Sequence, residues 1–260
     1  MKRYLKINQY YENVLSVIIP VFNEQDTIIP IIQKVINRPE TNEIIVINDA
    51  SNDNTYYLIE SFVMNSSQNI TVINNKSNKG KGASIRAAIP SISSPYTIIQ
   101  DADFEYEPDD YPILLSPLIA NKADVVYGSR FLNLNYKFNS VKHEIGNRVL
   151  TFFSNLFTGI QLSDMETCYK VFKTEIIKNL NLDSDRFGIE VELTSKLAWA
   201  KILKIQEVPI RYYPRKHDEG KKITWKDGMA SLYHILKYNV FSNKESFYKK
   251  QWDDVIAKSF

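Results

Sequence analysis

The chain has 260 residues, 44% of them hydrophobic and 24% charged, with a formal net charge of +2. That is enough for one large globular domain, and a balance so near neutrality argues against nucleic acid as a partner. The single cysteine, Cys168, excludes an intrachain disulfide framework and suits the cytoplasm, while an N-terminus without an apolar core and the lack of any run of about 18 apolar residues give no signal peptide and no membrane span.

Taken in order, residues 1–13 read as an N-terminal extension. Leu15 to Pro20 is a first strand, and a helix follows with Ile28, Ile29, Ile32, Val35 and Ile36 at helical spacing. Asn23 is its expected N-cap, and Pro30 falls in its first turn, where a missing N–H costs least. Further strands are expected at Glu43–Asn48, Ile70–Asn74, Tyr96–Gln100 and Asp124–Tyr127. Apolar strands separated by helical segments predict an α/β fold with a mainly parallel, Rossmann-like sheet flanked by helices.

The fourth strand runs straight into Asp101-Ala102-Asp103-Phe104-Glu105. At the carboxyl end of a parallel strand, where loops form the binding crevice, two aspartates one residue apart can offer hard oxygen ligands to one Mg²⁺ or Mn²⁺. A solvated acidic turn is the plainer reading, because Glu107, Asp109 and Asp110 follow. The other strands also end in polar loops: Asn23-Glu24, Asp49 to Thr55, Asn78 to Gly82, and Gly128-Ser129-Arg130. Ser51, Asp53 and Asn54 suit either a helix cap or a ligand, and Lys81 between Gly80 and Gly82 suits either an exposed turn or a close approach to phosphate. Arg130 can make a charge-assisted bond to a diphosphate. Together these loops describe a nucleotide-diphosphate pocket.

These motifs, with Asp164-Met-Glu166-Thr-Cys-Tyr-Lys170 and Val208-Pro-Ile, occur in an order that resembles glycosyltransferase family 2 over about residues 14–238. Within it, the chain is similar to the dolichyl-phosphate mannose synthase and polyprenyl-phosphate glycosyltransferase branch. The resemblance implies the GT-A fold, with a nucleotide-sugar-binding half at 14–130 and a less regular acceptor-side half at 131–240. It implies that Pro20, Phe22, Glu24 and Asp49 hold the base and ribose, Asp49 as base-reading acid, with Lys81 close by. Asp101, Ala102 and Asp103 would face the metal and diphosphate, and Arg130 would bind phosphate. Glu105 stands where close relatives place a further metal-facing side chain, often Gln.

In the acceptor half, His143 to Phe157 has a broad apolar stripe that suits a core helix, or a surface meeting an isoprenoid chain or the membrane interface. Asp164 and Glu166 are the candidate catalytic acids, with Cys168-Tyr169 standing where polyprenyl-phosphate enzymes usually have Gly-Phe. Cys168 reads as a packed small residue, and Glu190 as a first-turn helix acid or an acceptor-site group. A strand at Ile205–Ile210 leads to a basic, aromatic segment at 211–226, mobile in relatives. Arg215 and Lys221 are its expected phosphate contacts, and residues 241–260 read as a charged tail.

The resemblance implies an inverting, metal-dependent transfer of a hexose from GDP-mannose or UDP-glucose to a polyprenyl or dolichyl phosphate, with peripheral association at the cytoplasmic membrane face. The alternative acceptor is a hydroxyl of a glycan or glycolipid, for which Asp164 or Glu166 would serve as base. A nucleotide-binding protein that has lost catalysis fits poorly with an intact Asp101 and Asp103.

Overall fold

The computed structural model describes residues 11–133, 141–215 and 225–249. Its strands are β1 (Leu15–Val21), β2 (Thr41–Asn48), β3 (Ile70–Asn74), β4 (Tyr96–Ile99), β5 (Val125–Ser129), β6 (Lys170–Lys173) and β7 (Ile205–Pro209). The helices are α1 (Ile28–Ile36), α2 (Thr55–Met64), α3 (Lys81–Ala88), α4 (Tyr111–Ile119), α5 (Val141–Thr158), α6 (Thr174–Asn179), α7 (Ile189–Trp199) and α8 (Trp225–Leu236).

The strands form one sheet in the order β3-β2-β1-β4-β6-β5-β7. Only β6 runs against its neighbours, pairing antiparallel with β4 and β5, while the other pairs are parallel. The expected mainly parallel α/β sheet is therefore present. The central strands are buried almost throughout, as the β-branched runs Leu15–Ile19 and Ile44–Ile47 require of a sheet covered on both faces. Pro20 lies beyond the last residue of β1 paired with β4, where that neighbour makes no further ladder bonds.

Strand β6 was not among the expected elements, and it positions the site. Because it is antiparallel, its start lies at the sheet edge where the parallel strands end, which brings residues 164–169 beside the loop after β4. Two local expectations are corrected. Asn23 adopts a left-handed conformation with φ of 51° in the β1–α1 loop, and Thr27 precedes the first residue of α1. Gly128 and Ser129 belong to β5 rather than to the loop that follows it. Gly128 is needed there because a Cβ would come within 2.7 Å of the Ile210 side chain.

Candidate active site

Asp101 and Asp103 leave the end of β4 together, with Ala102 buried between them. Lys81, at the start of α3, sets its ammonium 2.8 Å from Asp101 Oδ1 and 3.1 Å from Glu190 Oε1. Burial pulls the Lys81 amine down, yet the charge of Asp101 and its other anionic neighbours outweighs this and holds it well above its ordinary range. Asp101 thus has a cation, and Asp103 has no comparable one. Burial, then the charges of Asp101 and Glu105, push the Asp103 carboxyl up to about 8, and the Arg215 charge offsets only part of this. Like charges gathered without enough counter-charge are what a divalent cation relieves, so the residues present fit Mg²⁺ or Mn²⁺. Among the described residues no group of three or more His, Cys, Asp or Glu side chains is arranged as a finished metal cage.

Glu105, the third expected metal-facing residue, is engaged elsewhere. Its Oε2 accepts from the Tyr212 hydroxyl at 2.6 Å, and its Oε1 accepts from the Arg215 backbone N–H at 2.8 Å. The Tyr213 N–H donates to the Glu105 carbonyl at 2.8 Å. Glu105 therefore ties the segment after β7 over the aspartate pair. The Arg215 guanidinium completes the tie, donating to both oxygens of Glu24 at 3.2 and 2.8 Å. Arg215 and Glu24, expected at the donor site from separate motifs, are thus brought together. Lys221 lies outside the described residues.

Pro20 and Phe22 sit half-buried where β1 ends, beside the β2–α2 loop. Ser51 Oγ accepts from Asn23 N–H at 3.0 Å, Asp53 from Gln25 N–H at 3.3 Å and from Thr55 N–H at 3.0 Å, and Thr55 Oγ1 from Glu24 N–H at 2.9 Å. This loop holds the preceding one in place rather than serving only as a helix cap.

Asp49 is buried, and its carboxylate accepts from Asn75 Nδ2 at 2.7 Å, Lys79 N–H at 3.0 Å and Gly80 N–H at 2.6 Å. It fixes the loop that leads into α3. Gly80 and Gly82 have a different reason from the expected phosphate approach. A Cβ on Gly82 would stand 2.1 Å from the Ser184 carbonyl and one on Gly80 2.6 Å from the Asp185 carbonyl, while Ala83 N–H donates to Asp185 O at 3.0 Å. The glycines admit the backbone of residues 184–186, which occupies the start of α3.

Beside the start of β6, Asp164 and Arg130 form a buried, two-pronged pair. Arg130 Nε and Nη2 each donate to Asp164 at 2.7 Å, and Arg130 N–H donates to it at 3.0 Å. The guanidinium lies 5.0 Å from the Tyr212 ring centroid, and the Tyr106 and Tyr212 rings are 5.0 Å apart. Glu207 on β7 holds the Asp164 backbone, accepting from its N–H at 3.0 Å. Asp164 is thus committed to orienting Arg130.

Glu190 lies in the first turn of α7 as expected, buried and paired with both Lys81 and Lys170. Lys170 also lies 5.0 Å from the Tyr127 ring centroid. Glu166 is different: its Oε1 is buried without a hydrogen-bond partner, and burial followed by the Glu190 charge pushes its carboxyl up to about 7, against the pull of Lys170, Arg130 and a bond to Ser231. Cys168 is buried with its thiol pushed up by burial, which fits packing and not nucleophilic attack. Sequence reasoning missed Tyr106, Tyr212, Glu207 and Ser231. Nothing in their local pattern marks them, because their roles arise only from cross-chain contacts.

The glycosyl transferase family 2 model matches residues 16–180. Glycosyltransferase AglJ of Haloferax volcanii is 30% identical over 204 residues, covering 78% of this chain and 64% of that protein, so the chain spans less than two thirds of that relative. A UDP-N-acetylglucosamine-dolichyl-phosphate N-acetylglucosaminyltransferase of Methanococcus voltae is 25% identical, covering 86% of this chain and 96% of that protein. In fold, the chain is similar to glucosyl-3-phosphoglycerate synthase from Mycobacterium tuberculosis, solved in complex with Mn²⁺, UDP and glucosyl-3-phosphoglycerate. The TM-score is 0.65 at 16% identity, covering 92% of this chain and 83% of that one.

Proposed function

Because this chain belongs to glycosyl transferase family 2 and is a glycosyltransferase of GT-A fold, we propose that it transfers a hexose, with inversion, from a nucleotide sugar to a polyprenyl or dolichyl phosphate. The observation that carries the acceptor class lies in the acceptor-side motif. Asp164, the acid at the head of that motif, has both carboxylate oxygens engaged by Arg130. An anionic phosphate acceptor needs no base, whereas a hydroxyl does. The relative in Methanococcus voltae, named for dolichyl-phosphate, supports the same class.

Asp101 and Asp103 would hold Mg²⁺ or Mn²⁺. When bound, the ion would offset charge growing on the departing diphosphate. Lys81 holds the Asp101 carboxylate in place, so it meets the ligand without reorganising. Arg215, tied to Glu24 beside the aspartates, is the protein cation assigned to donor phosphate, with Lys221 following it in sequence. Asp49 and Glu24 shape the base and ribose pocket by fixing the loops around it. Arg130, oriented by Asp164 and backed by Tyr212, is a positive wall between donor and acceptor halves. GDP-mannose and UDP-glucose are the candidate donors, and the enzyme would work at the cytoplasmic membrane face as a peripheral protein. Among the described residues no helix is long and apolar enough to cross a membrane.

Transfer to a hydroxyl is the second reading, favoured by one feature. A carboxyl near 7 is poised for general base work, and that carboxyl is Glu166, not Asp164. The discriminating experiment incubates the protein with Mn²⁺ or Mg²⁺, a panel of nucleotide sugars and short-chain polyprenyl phosphate. A lipid-linked sugar phosphate from one donor supports the first reading. Slow donor hydrolysis without transfer to lipid phosphate, together with transfer to a sugar hydroxyl that Glu166→Gln abolishes, overturns it.

A further inference from the structure

Twenty large apolar side chains are exposed among the described residues, and eleven of them lie on α5, on α8 or on the turn that continues α8 to Phe241. On α5, Ile145, Val149, Phe152 and Leu156 follow one another at steps of four, three and four. On α8 and its continuation, Met229, Tyr233, Leu236 and Val240 repeat the same steps. Such spacing sets each group on one face of its helix, and the two helices pack on one another. Between residues 143 and 157 the only charged side chains are Glu144 and Arg148, and between 228 and 241 the only one is Lys237. Two adjacent apolar faces this bare are more than the scattered exposed residues of an ordinary surface.

The inner sides of the same helices hold the acceptor motif. Thr151 Oγ1 of α5 accepts from Met165 N–H at 3.2 Å, and Asn155 Nδ2 donates to Leu162 O at 2.7 Å. Ser231 of α8 bonds the Glu166 side chain, and a Cβ on Gly188, just before α7, would meet the His234 ring at 2.5 Å. One pair of helices therefore carries acceptor-site residues inward and apolar residues outward.

We infer that the joint outer face of α5 and α8 docks on an anionic phospholipid surface, setting the acceptor site against the membrane. This deepens the lipid-acceptor reading and rests on it for its purpose. Charge selects the lipid over a second copy of the chain. Arg211 and Arg215 are paired with Asp110 and Glu24, and the sequence from 216 to 226 that leads into α8 still has four Lys residues against Asp218 and Glu219. That excess of positive charge, continuous in sequence with α8, is attracted by anionic headgroups and finds no complement in an identical sequence. Apolar side chains beside basic ones are what hold an interfacial helix at the headgroup boundary.

The test is flotation of the full chain with vesicles of phosphatidylcholine and phosphatidylglycerol that contain no polyprenyl phosphate. The wild type should float, less so at high salt. Phe152→Glu with Tyr233→Glu should lower partitioning by about tenfold or more, and Phe152→Ser with Tyr233→Ser should lower it by less. Met64→Glu, exposed on another face, should float like the wild type. All of these variants should keep wild-type transfer to a short, water-soluble polyprenyl phosphate. The inference is overturned if the wild type does not float, if the double variants float equally well, or if the face proves to hold a dimer that the double variants dissociate. A wild type that floats yet makes no lipid-linked sugar leaves the docking face standing and removes the lipid-acceptor reading instead.

Discussion

The loop after β4 and the network around β6 lie side by side, yet they treat their acids in opposite ways. Around β6 the buried carboxylates bring their own cations: Asp164 has Arg130, Glu190 has Lys170 and Lys81, and Glu192 has Lys196. After β4, Asp101 draws on Lys81, while Asp103 is left among acids with its carboxyl raised to about 8. The network around β6 is thus preformed, and the loop after β4 is short of positive charge. A region that completes itself favours one fixed geometry; a region that does not is built to be completed by a ligand.

The sharpest way to break this contrast is to remove a cation from the preformed side. Arg130→Ala strands Asp164 in the interior and should cost about 3–5 kcal/mol in denaturant unfolding. A loss near zero would mean that the pair is not buried as described. On the donor side the expected effect is on rate: Asp103→Ala should lower kcat/KM by about 10²–10³-fold with its Mn²⁺ response gone. Retained metal dependence in that variant would remove Asp103 from the site.

Glu166 is the exception on the preformed side, and it makes a pH prediction. Its folded carboxyl titrates at about 7 against an ordinary 4.5, so the folded state keeps a proton that the unfolded chain gives up in between. The stability it contributes is full below pH 4.5 and is lost as pH rises through 7. Glu166→Gln should match the wild type near pH 5 and exceed it at pH 8 by up to about 3 kcal/mol. Glu192, also raised to about 7, keeps part of the slope in the variant. Parallel wild-type and variant profiles from pH 5 to 8 would contradict the assignment. The smallest effect is expected at the tie to Glu24: Arg215→Ala should reduce transfer about tenfold, the worth of one charge-assisted hydrogen bond, and lower thermal stability by less than Arg130→Ala does, because the Arg215–Glu24 pair is less deeply buried. Unaltered kinetics would take Arg215 out of the mechanism.

The same contrast explains what was legible in the sequence. Strands β1, β2, β4 and β5 stand out because parallel strands buried on both faces must be apolar runs, whereas the edge strands β3 and β7 are half-buried and show only as short β-branched stretches. The acidic pair is visible because it follows one of the buried runs. Strand β6 is only four residues, Lys170 to Lys173, with a lysine at each end. Lys170 is tolerated inside only because Glu190 arrives from a helix far along the chain, and no local pattern reports that. The glycines flanking Lys81 were visible, but their cause was not: they face the backbone of 184–186, about a hundred residues away in sequence. Likewise the stripe on α5 suits a core helix or a surface until the sheet takes its place. The structure then leaves Phe152 and Leu156 more than 60% exposed.

The central claim is that the donor edge lacks a cation which a divalent ion supplies. It is tested most directly by thermal unfolding of wild type and Asp103→Asn, each with and without Mn²⁺ and a nucleoside diphosphate. The account predicts that without ligands the variant is at least as stable as the wild type, because carboxylate crowding is relieved, and that ligands raise the Tm of the wild type alone. A variant that is destabilised without ligands yet gains the full Mn²⁺-dependent shift would contradict it.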